Sequence, residues 1–258
     1  MKRAYLLLLT AALLSTACET NKPVVKKYVP VMLGAGISYM PRPTSEDTVK
    51  MLNYISGGYV KTSALDNESE SSNSAQLAFS RGYRSRNFNF AFGADGFLGS
   101  YSNRFFKPGD AEYFKRSNFY GYQLKTSFNV YKKINNLDFR FIGLSLSYSN
   151  EFGDFKEFRQ RIHQTENFYS IPSPKLLSLG LSSELVIHDN QYIKYGMRLM
   201  VDNTLSDVAF RGLDSDQKPG GRAPRSNLSG AFFVQRKKVF LILEGGELSG
   251  RVSLGYCF

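Results

Sequence analysis

The two histidines, His163 and His188, are the side chains best suited to proton transfer near neutral pH. His163 lies in the stretch RQRIHQTENF, with Glu157 and Glu166 close in sequence, so an acid and a base could meet there. His188 is followed directly by Asp189, and the polar residues around it are typical of a turn. We interpret His188 as a turn residue and predict no catalytic residue. A hydrolase that uses His163 is the alternative.

The sequence has two cysteines, Cys18 and Cys257, and no zinc-like spacing of histidines and cysteines. Residues 1–17 have the charged start, the apolar run YLLLLTAALL and the small residues before a cleavage site that define a signal peptide. Cys18 follows that site directly. The motif resembles a bacterial lipobox, which would make Cys18 a lipid anchor, although Ser15 stands where that motif usually has Leu. Ordinary cleavage is the alternative, and only then could Cys18 pair with Cys257.

Alternation of apolar and polar residues with period two dominates the chain after the signal peptide, and it predicts β-strands. The alternating runs are about as long as a tilted strand that crosses a bilayer. We predict about ten strands, with eight as the alternative; the last two are the least certain, because 239–258 could form one long bulged strand. The predicted strands are 28–40, 75–84, 87–101, 117–131, 137–150, 174–187, 192–203, 225–235, 239–244 and 247–258.

The connections between these strands alternate in length. Short turns are predicted at 84–87, 132–136, 188–191 and 236–238, and long polar loops at 41–74, 102–116, 151–173 and 204–224. Short turns at one end and long loops at the other are typical of outer-membrane barrels, whose short turns face the periplasm. The sequence therefore predicts an all-β fold, a closed antiparallel transmembrane β-barrel over 28–258, preceded by the signal peptide and a periplasmic lead at 18–27.

The face of the strands opposite the apolar face carries charged residues, and this distinguishes a membrane barrel from a soluble one. A dry core would not accept charges in register, whereas a narrow polar lumen could pair them. Because so few strands leave little open interior, we expect an ion-pair network that plugs the lumen rather than a water-filled pore. The predicted lumen charges are Asp95, Lys125, Glu184, Lys194, Arg198 and Arg251.

The last eight residues, RVSLGYCF, place apolar side chains at every second position and end on an aromatic residue. This strand resembles the C-terminal assembly signal of small Gram-negative outer-membrane β-barrels. The resemblance implies recognition by the barrel-assembly machinery, which would read the strand as an added β-edge. The residues that carry it are Val252, Leu254, Tyr256 and Phe258.

One long loop, FGDFKEFRQRIHQTENFY, mixes aromatic and basic residues in the way that binding surfaces do. A partner protein of the cell envelope or lipid headgroups would fit it, and packing of the loop on its own barrel rim is an equally good interpretation. The candidate binding residues are Phe155, Phe158, Arg159, Arg161 and His163.

The formal net charge of +11 comes from basic residues scattered among acids. Nucleic-acid binding normally needs a basic cluster on one element, so we exclude it and favour attraction to outer-membrane lipid and lipopolysaccharide phosphates. We expect an outer-membrane barrel of the bacterial cell that acts as a structural or interaction protein, without a cofactor or a metal. A narrow channel and a barrel enzyme acting on lipid or surface substrates are the alternatives.

Overall fold

A computed structural model describes residues 36–64, 67–103, 116–164, 169–170, 173–190, 192–205, 209–210, 226–246 and 249–258. Nearly all of these residues are in strands. In chain order the elements are β1 Met51–Ala64, β2 Asn67–Arg84, β3 Phe88–Asn103, β4 Ser117–Ile134, β5 Leu137–Phe152, α1 Asp154–Gln164, β6 Tyr169–Ser170, β7 Lys175–Asn190, β8 Ile193–Thr204, β9 Ala209–Phe210, β10 Ser226–Arg236, β11 Val239–Gly246 and β12 Ser249–Cys257.

Ten of the strands form a closed antiparallel barrel in the order β1-β12-β11-β10-β8-β7-β5-β4-β3-β2. The first and last strands close it through a continuous register from Tyr54 opposite Cys257 to Thr62 opposite Ser249. The two short strands β6 and β9 pair separately from the barrel. No helix among the described residues is long and apolar enough to cross a membrane.

The two faces of the barrel differ as a transmembrane barrel requires. Side chains on the outer face are apolar and exposed, for example Leu77, Leu124, Leu181 and Leu254 at 51–62% exposure. Side chains on the inner face are buried and mostly polar or charged. Lipid offers no hydrogen-bond partners to backbone N–H and C=O groups. Closure of the sheet therefore gives every spanning strand a hydrogen-bonded neighbour on both sides.

The predicted ten-strand barrel is confirmed, and β11 and β12 are separate strands, so the eight-strand alternative is wrong. The predicted strand at 28–40 is also wrong where it is described, because residues 36–40 form no strand. The predicted loop at 41–74 contains β1 and the beginning of β2. The polar run of β2 misled the prediction because it lies at the long-loop end of an 18-residue strand, where water replaces lipid.

The four predicted short turns lie together at the end of the barrel opposite the long connections, and this end is therefore the periplasmic end. Two of them are two-residue turns, between Ile134 and Leu137 and between Arg236 and Val239. Each begins with a left-handed residue, Asn135 at φ 56° in the first turn. The long connections lie at the opposite, extracellular end.

Candidate functional site in the lumen

Residues 36–45 run through the barrel interior instead of joining its wall, and residues 46–50 continue along the rim to β1. At one end, the Gly36 carbonyl accepts a hydrogen bond from Gln123 at 3.2 Å, in the extracellular half of β4. At the other end, Arg84, the last residue of β2, donates to the carbonyls of Ser45 at 2.6 Å and Asp47 at 3.0 Å. This stretch, which we call the lumen segment, thus descends from the extracellular half to the periplasmic rim.

Glu184 on β7 is one centre of the polar network that holds the lumen segment. It accepts hydrogen bonds from the Tyr39 hydroxyl at 2.7 Å, from Arg140 at 2.7 Å and from Arg42 at 2.9 Å. The Tyr39 side chain is buried, and its hydroxyl donates to the Glu184 carboxylate. The lumen segment and two wall strands therefore meet at one carboxylate.

Glu244 on β11 is a second centre. It accepts from the Tyr39 backbone N–H at 2.7 Å, from Arg251 at 3.0 Å and from Arg198 at 3.2 Å. The Arg198 guanidinium also lies 5.0 Å from the centre of the Tyr39 ring, within cation–π range. Tyr39 thus bridges both carboxylates, one through its hydroxyl and the other through its backbone.

Asp95 on β3 anchors the upper part of the lumen segment. It accepts from Lys125 at 2.5 Å, from Gln76 at 2.6 Å and from the Ser38 hydroxyl at 3.0 Å. The side chains of Asp95 and Lys125 are 1% and 2% exposed. A charge this deeply buried is tolerated because an opposite charge and hydrogen bonds compensate it.

Two further carboxylates hold the lower part of the lumen segment. Asp47 forms an ion pair with Lys194 and accepts from the Thr44 backbone N–H at 2.6 Å. Asp138 on β5 accepts from the Ser45 N–H at 2.7 Å and lies 3.4 Å from His188 Nε2. His188, predicted in a turn, lies within β7 and is 5% exposed.

The structure places all six predicted lumen charges inside the barrel, each within an ion pair. A hairpin turn at 188–191 predicts Glu184 opposite Lys194. This prediction is wrong, because the register sets Glu184 opposite Arg198 and Lys194 opposite His188. Arg140 and Glu244 were missed although each lies on the inner face of a predicted strand. Tyr39 and Arg42 gave no such signal, because nothing in the local pattern separates a lumen segment from a strand or a loop.

The candidate binding loop contains helix α1, which begins after Gly153 and has Asp154 and Glu157 in its first turn. Three of its predicted binding residues are buried instead of facing solvent: Phe155 and Arg159 at 0% and Phe158 at 1% exposure.

The buried face of α1 packs on the extracellular rim. The Phe155 ring lies 4.4 Å from the Tyr101 ring of β3, and Arg159 forms a 2.7 Å ion pair with Glu151 of β5. Packing on the barrel's own rim, the second interpretation of this loop, matches the structure. Arg161 is exposed, and His163 lies in the last turn of α1.

Three of the predicted assembly-signal residues lie on the outer face of β12, and the fourth, Phe258, directly follows the strand. Val252, Leu254, Tyr256 and Phe258 are 42–61% exposed, as lipid-facing side chains are. Cys257, between the last two, faces inward as a free buried thiol. Recognition of this strand by an assembly machinery stays a prediction, and Cys18 lies outside the described residues.

No protein-family model matches the sequence, and no curated protein matches it significantly. Three solved structures have distant similarity to this chain. Neisserial surface protein A is 13% identical with a TM-score of 0.36, and the match covers 81% of this chain and 96% of that one. The translocator domain of autotransporter NalP from Neisseria meningitidis is 11% identical with a TM-score of 0.42 (coverage 81% and 89%), and LpxR from Salmonella typhimurium is 10% identical with a TM-score of 0.33 (coverage 80% and 99%). The closed strand pairing, the apolar exterior and the charged lumen of this chain are those of a β-barrel of the bacterial outer membrane.

Proposed function

We propose that this protein is a structural or interaction barrel of the outer membrane whose lumen is permanently closed by its own residues 36–45. The observation that carries the proposal is the path of this lumen segment, which is tied to Asp95, Glu244, Glu184 and Asp138 in succession. A ten-strand barrel has a narrow interior, so one extended chain with paired charges on either side fills it.

A closed lumen leaves the outer surface and the loops as the functional parts. The apolar exterior would contact membrane lipid, and the extracellular loops would face lipopolysaccharide or a partner protein of the envelope. During biogenesis the outward face of β12 would meet the barrel-assembly machinery. The many contacts between lumen segment and wall favour this role over that of a channel, whose lumen must stay wet.

Planar-bilayer recording tests the proposal. We expect no steady conductance from the wild type and stable openings from a variant that lacks residues 36–47, because this deletion removes the closing chain and leaves the wall strands intact. A deletion of equal length within 211–225 is the matched control and should stay silent. Steady, ion-selective conductance of the wild type would contradict the proposal and favour a narrow channel.

A further inference from the structure

A cavity lies at the periplasmic end of the barrel, beside the lower end of the lumen segment. Its volume is about 600 Å³, within the range of cavities that hold small ligands. The walls come from the lumen segment, from the turn between β2 and β3 and from the end of β4. Five of the lining side chains are cationic: Lys50, Arg84, Arg86, Lys132 and Lys133.

Only one of these five cations is neutralised by a carboxylate of the described residues. Lys133 pairs with Glu46 on the surface. Arg84 donates to two carbonyl oxygens of the lumen segment, which orient its guanidinium without supplying a negative charge. Lys50, Arg86 and Lys132 form no ion pair within the described part of the chain. The cavity we call the basic mouth therefore carries an excess of positive charge.

The walls of the basic mouth are fixed by hydrogen bonds. The Tyr131 hydroxyl donates to the Ser85 carbonyl at 2.8 Å, and the Tyr131 N–H donates to the Asn87 carbonyl at 2.9 Å. The Arg84 N–H donates to the Lys50 carbonyl at 2.8 Å. Three separate parts of the chain are thus joined, so the backbone that carries these cations is already ordered before a ligand binds.

The position of the basic mouth indicates where its ligand comes from. Tyr83 and Phe88 flank the same turn on the outer face, each 38% exposed, and their ring centres lie 6.4 Å apart. Aromatic residues of membrane barrels concentrate at the level of the lipid headgroups. The cavity therefore opens at the depth of the headgroups of the periplasmic leaflet.

The geometry points to the basic mouth as a binding site for a phosphoryl group, presented by an anionic phospholipid of the periplasmic leaflet. Guanidinium groups bind phosphate oxygens through paired N–H donors, and lysines add positive charge on flexible stems. Ser45 and Lys50 of the lumen segment line the basic mouth, but retention of lipid there is measured independently of conductance through the lumen.

Native mass spectrometry of the intact barrel, released from vesicles that contain phosphatidylglycerol, tests this site. The variant Arg86→Gln/Lys132→Gln removes two exposed cations of the basic mouth. The control, Lys237→Gln/Lys238→Gln, removes the same charge at another periplasmic turn. We expect the wild type and the control to retain phosphatidylglycerol, and the basic-mouth variant to retain at most about one tenth as much lipid as the wild type. Faster gel migration of unheated samples verifies that each variant is folded.

Two outcomes would overturn the inference. Equal loss of lipid in both variants would mean that general attraction to a basic rim, not the cavity, holds the lipid. Binding of glycerol 3-phosphate to the wild type without retention of any phospholipid would assign the phosphoryl group to a soluble source instead. Displacement of retained phosphatidylglycerol by glycerol 3-phosphate in the wild type would support the assignment, because it shows that the headgroup phosphate makes the contact.

Discussion

Glu184 compensates two guanidinium charges in a place that water hardly reaches. Its side chain has no exposed surface, and those of Arg42 and Arg140 are 2% and 1% exposed. Charges that have lost their hydration are costly unless an opposite charge and hydrogen bonds replace the water. The importance of Glu184 therefore lies in what its loss would leave unpaired.

We expect Glu184→Gln to lower the free energy of unfolding by about 3–5 kcal/mol, because two buried arginines would lose their counter-charge. Urea unfolding of the barrel in lipid vesicles, followed by the gel shift of unheated samples, measures this loss. Glu46→Gln is the control, since the Glu46–Lys133 pair is 42% and 47% exposed and water screens it. An unchanged stability of Glu184→Gln would contradict the role of Glu184 as a centre of the network.

At the scale of the strands, the register brings inward aromatic rings opposite glycines on the neighbouring strand. Phe233 of β10 lies opposite Gly196 of β8, and Phe240 of β11 lies opposite Gly255 of β12. A Cβ atom on Gly196 would lie 1.8 Å from the Phe233 ring, and one on Gly255 would lie 2.2 Å from the Phe240 ring. Each ring therefore occupies the space that a side chain would need, which also defines the register.

Gly196→Ala should destabilise the barrel by about 1–3 kcal/mol, because the new methyl group must displace the Phe233 ring inside a filled lumen. The same urea titration measures the effect. Gly96→Ala is a matched control on β3, where an added Cβ meets no atom within 4 Å. If both variants unfold at the same urea concentration as the wild type, the ring of Phe233 has room to move and the packing argument fails.

The last strand provides a separate prediction about assembly. The Phe258 backbone exchanges two 3.0 Å hydrogen bonds with Asn53, while its side chain is 53% exposed on the outer face. Phe258→Ala keeps the backbone bonds, so the stability of the folded barrel should change little.

In cells, however, Phe258→Ala should lower the amount of assembled barrel if the assembly machinery reads the terminal aromatic residue. Quantification of heat-modifiable protein in outer-membrane fractions measures this. Phe232→Ala on β10 removes a similarly exposed lipid-facing ring (44%) and serves as the control. Normal assembly of Phe258→Ala would remove the argument for a C-terminal signal.

At the scale of the whole molecule, two features would hold the protein in the membrane. The closed barrel presents an apolar belt to lipid, and the lipobox-like motif predicts an acyl anchor at Cys18. A diacylated Cys18 would be a stable anchor by itself, but a barrel that already spans the bilayer does not need that anchor to stay in the membrane.

Cys18→Ala should therefore abolish labelling by a clickable fatty acid and leave the barrel in the outer-membrane fraction. In-gel fluorescence together with fractionation measures both effects. Equal labelling of Cys18→Ala and wild type, or no labelling of either, would exclude acylation at Cys18.

The strands from residue 75 onward were predictable because their cause is local. Successive side chains of a strand point to opposite faces of the sheet. Because one face meets lipid and the other meets a polar lumen, every spanning strand alternates apolar and polar residues, whichever strands it pairs with. Stretches such as 87–101 and 117–131 therefore showed both their strand character and their inward-facing charges, Asp95 and Lys125.

The lumen segment and the partners of its charges depend on contacts that no local pattern contains. Ile37, Tyr39 and Met40 are apolar because they are buried inside the barrel, yet lipid would select the same residues on a strand. Arg42 and Glu184 are 142 positions apart in the chain, and only closure of the barrel brings them to 2.9 Å. A shift of one residue in any strand pair would exchange the inner and outer faces, so the pairing of charges is settled by the register of the closed sheet.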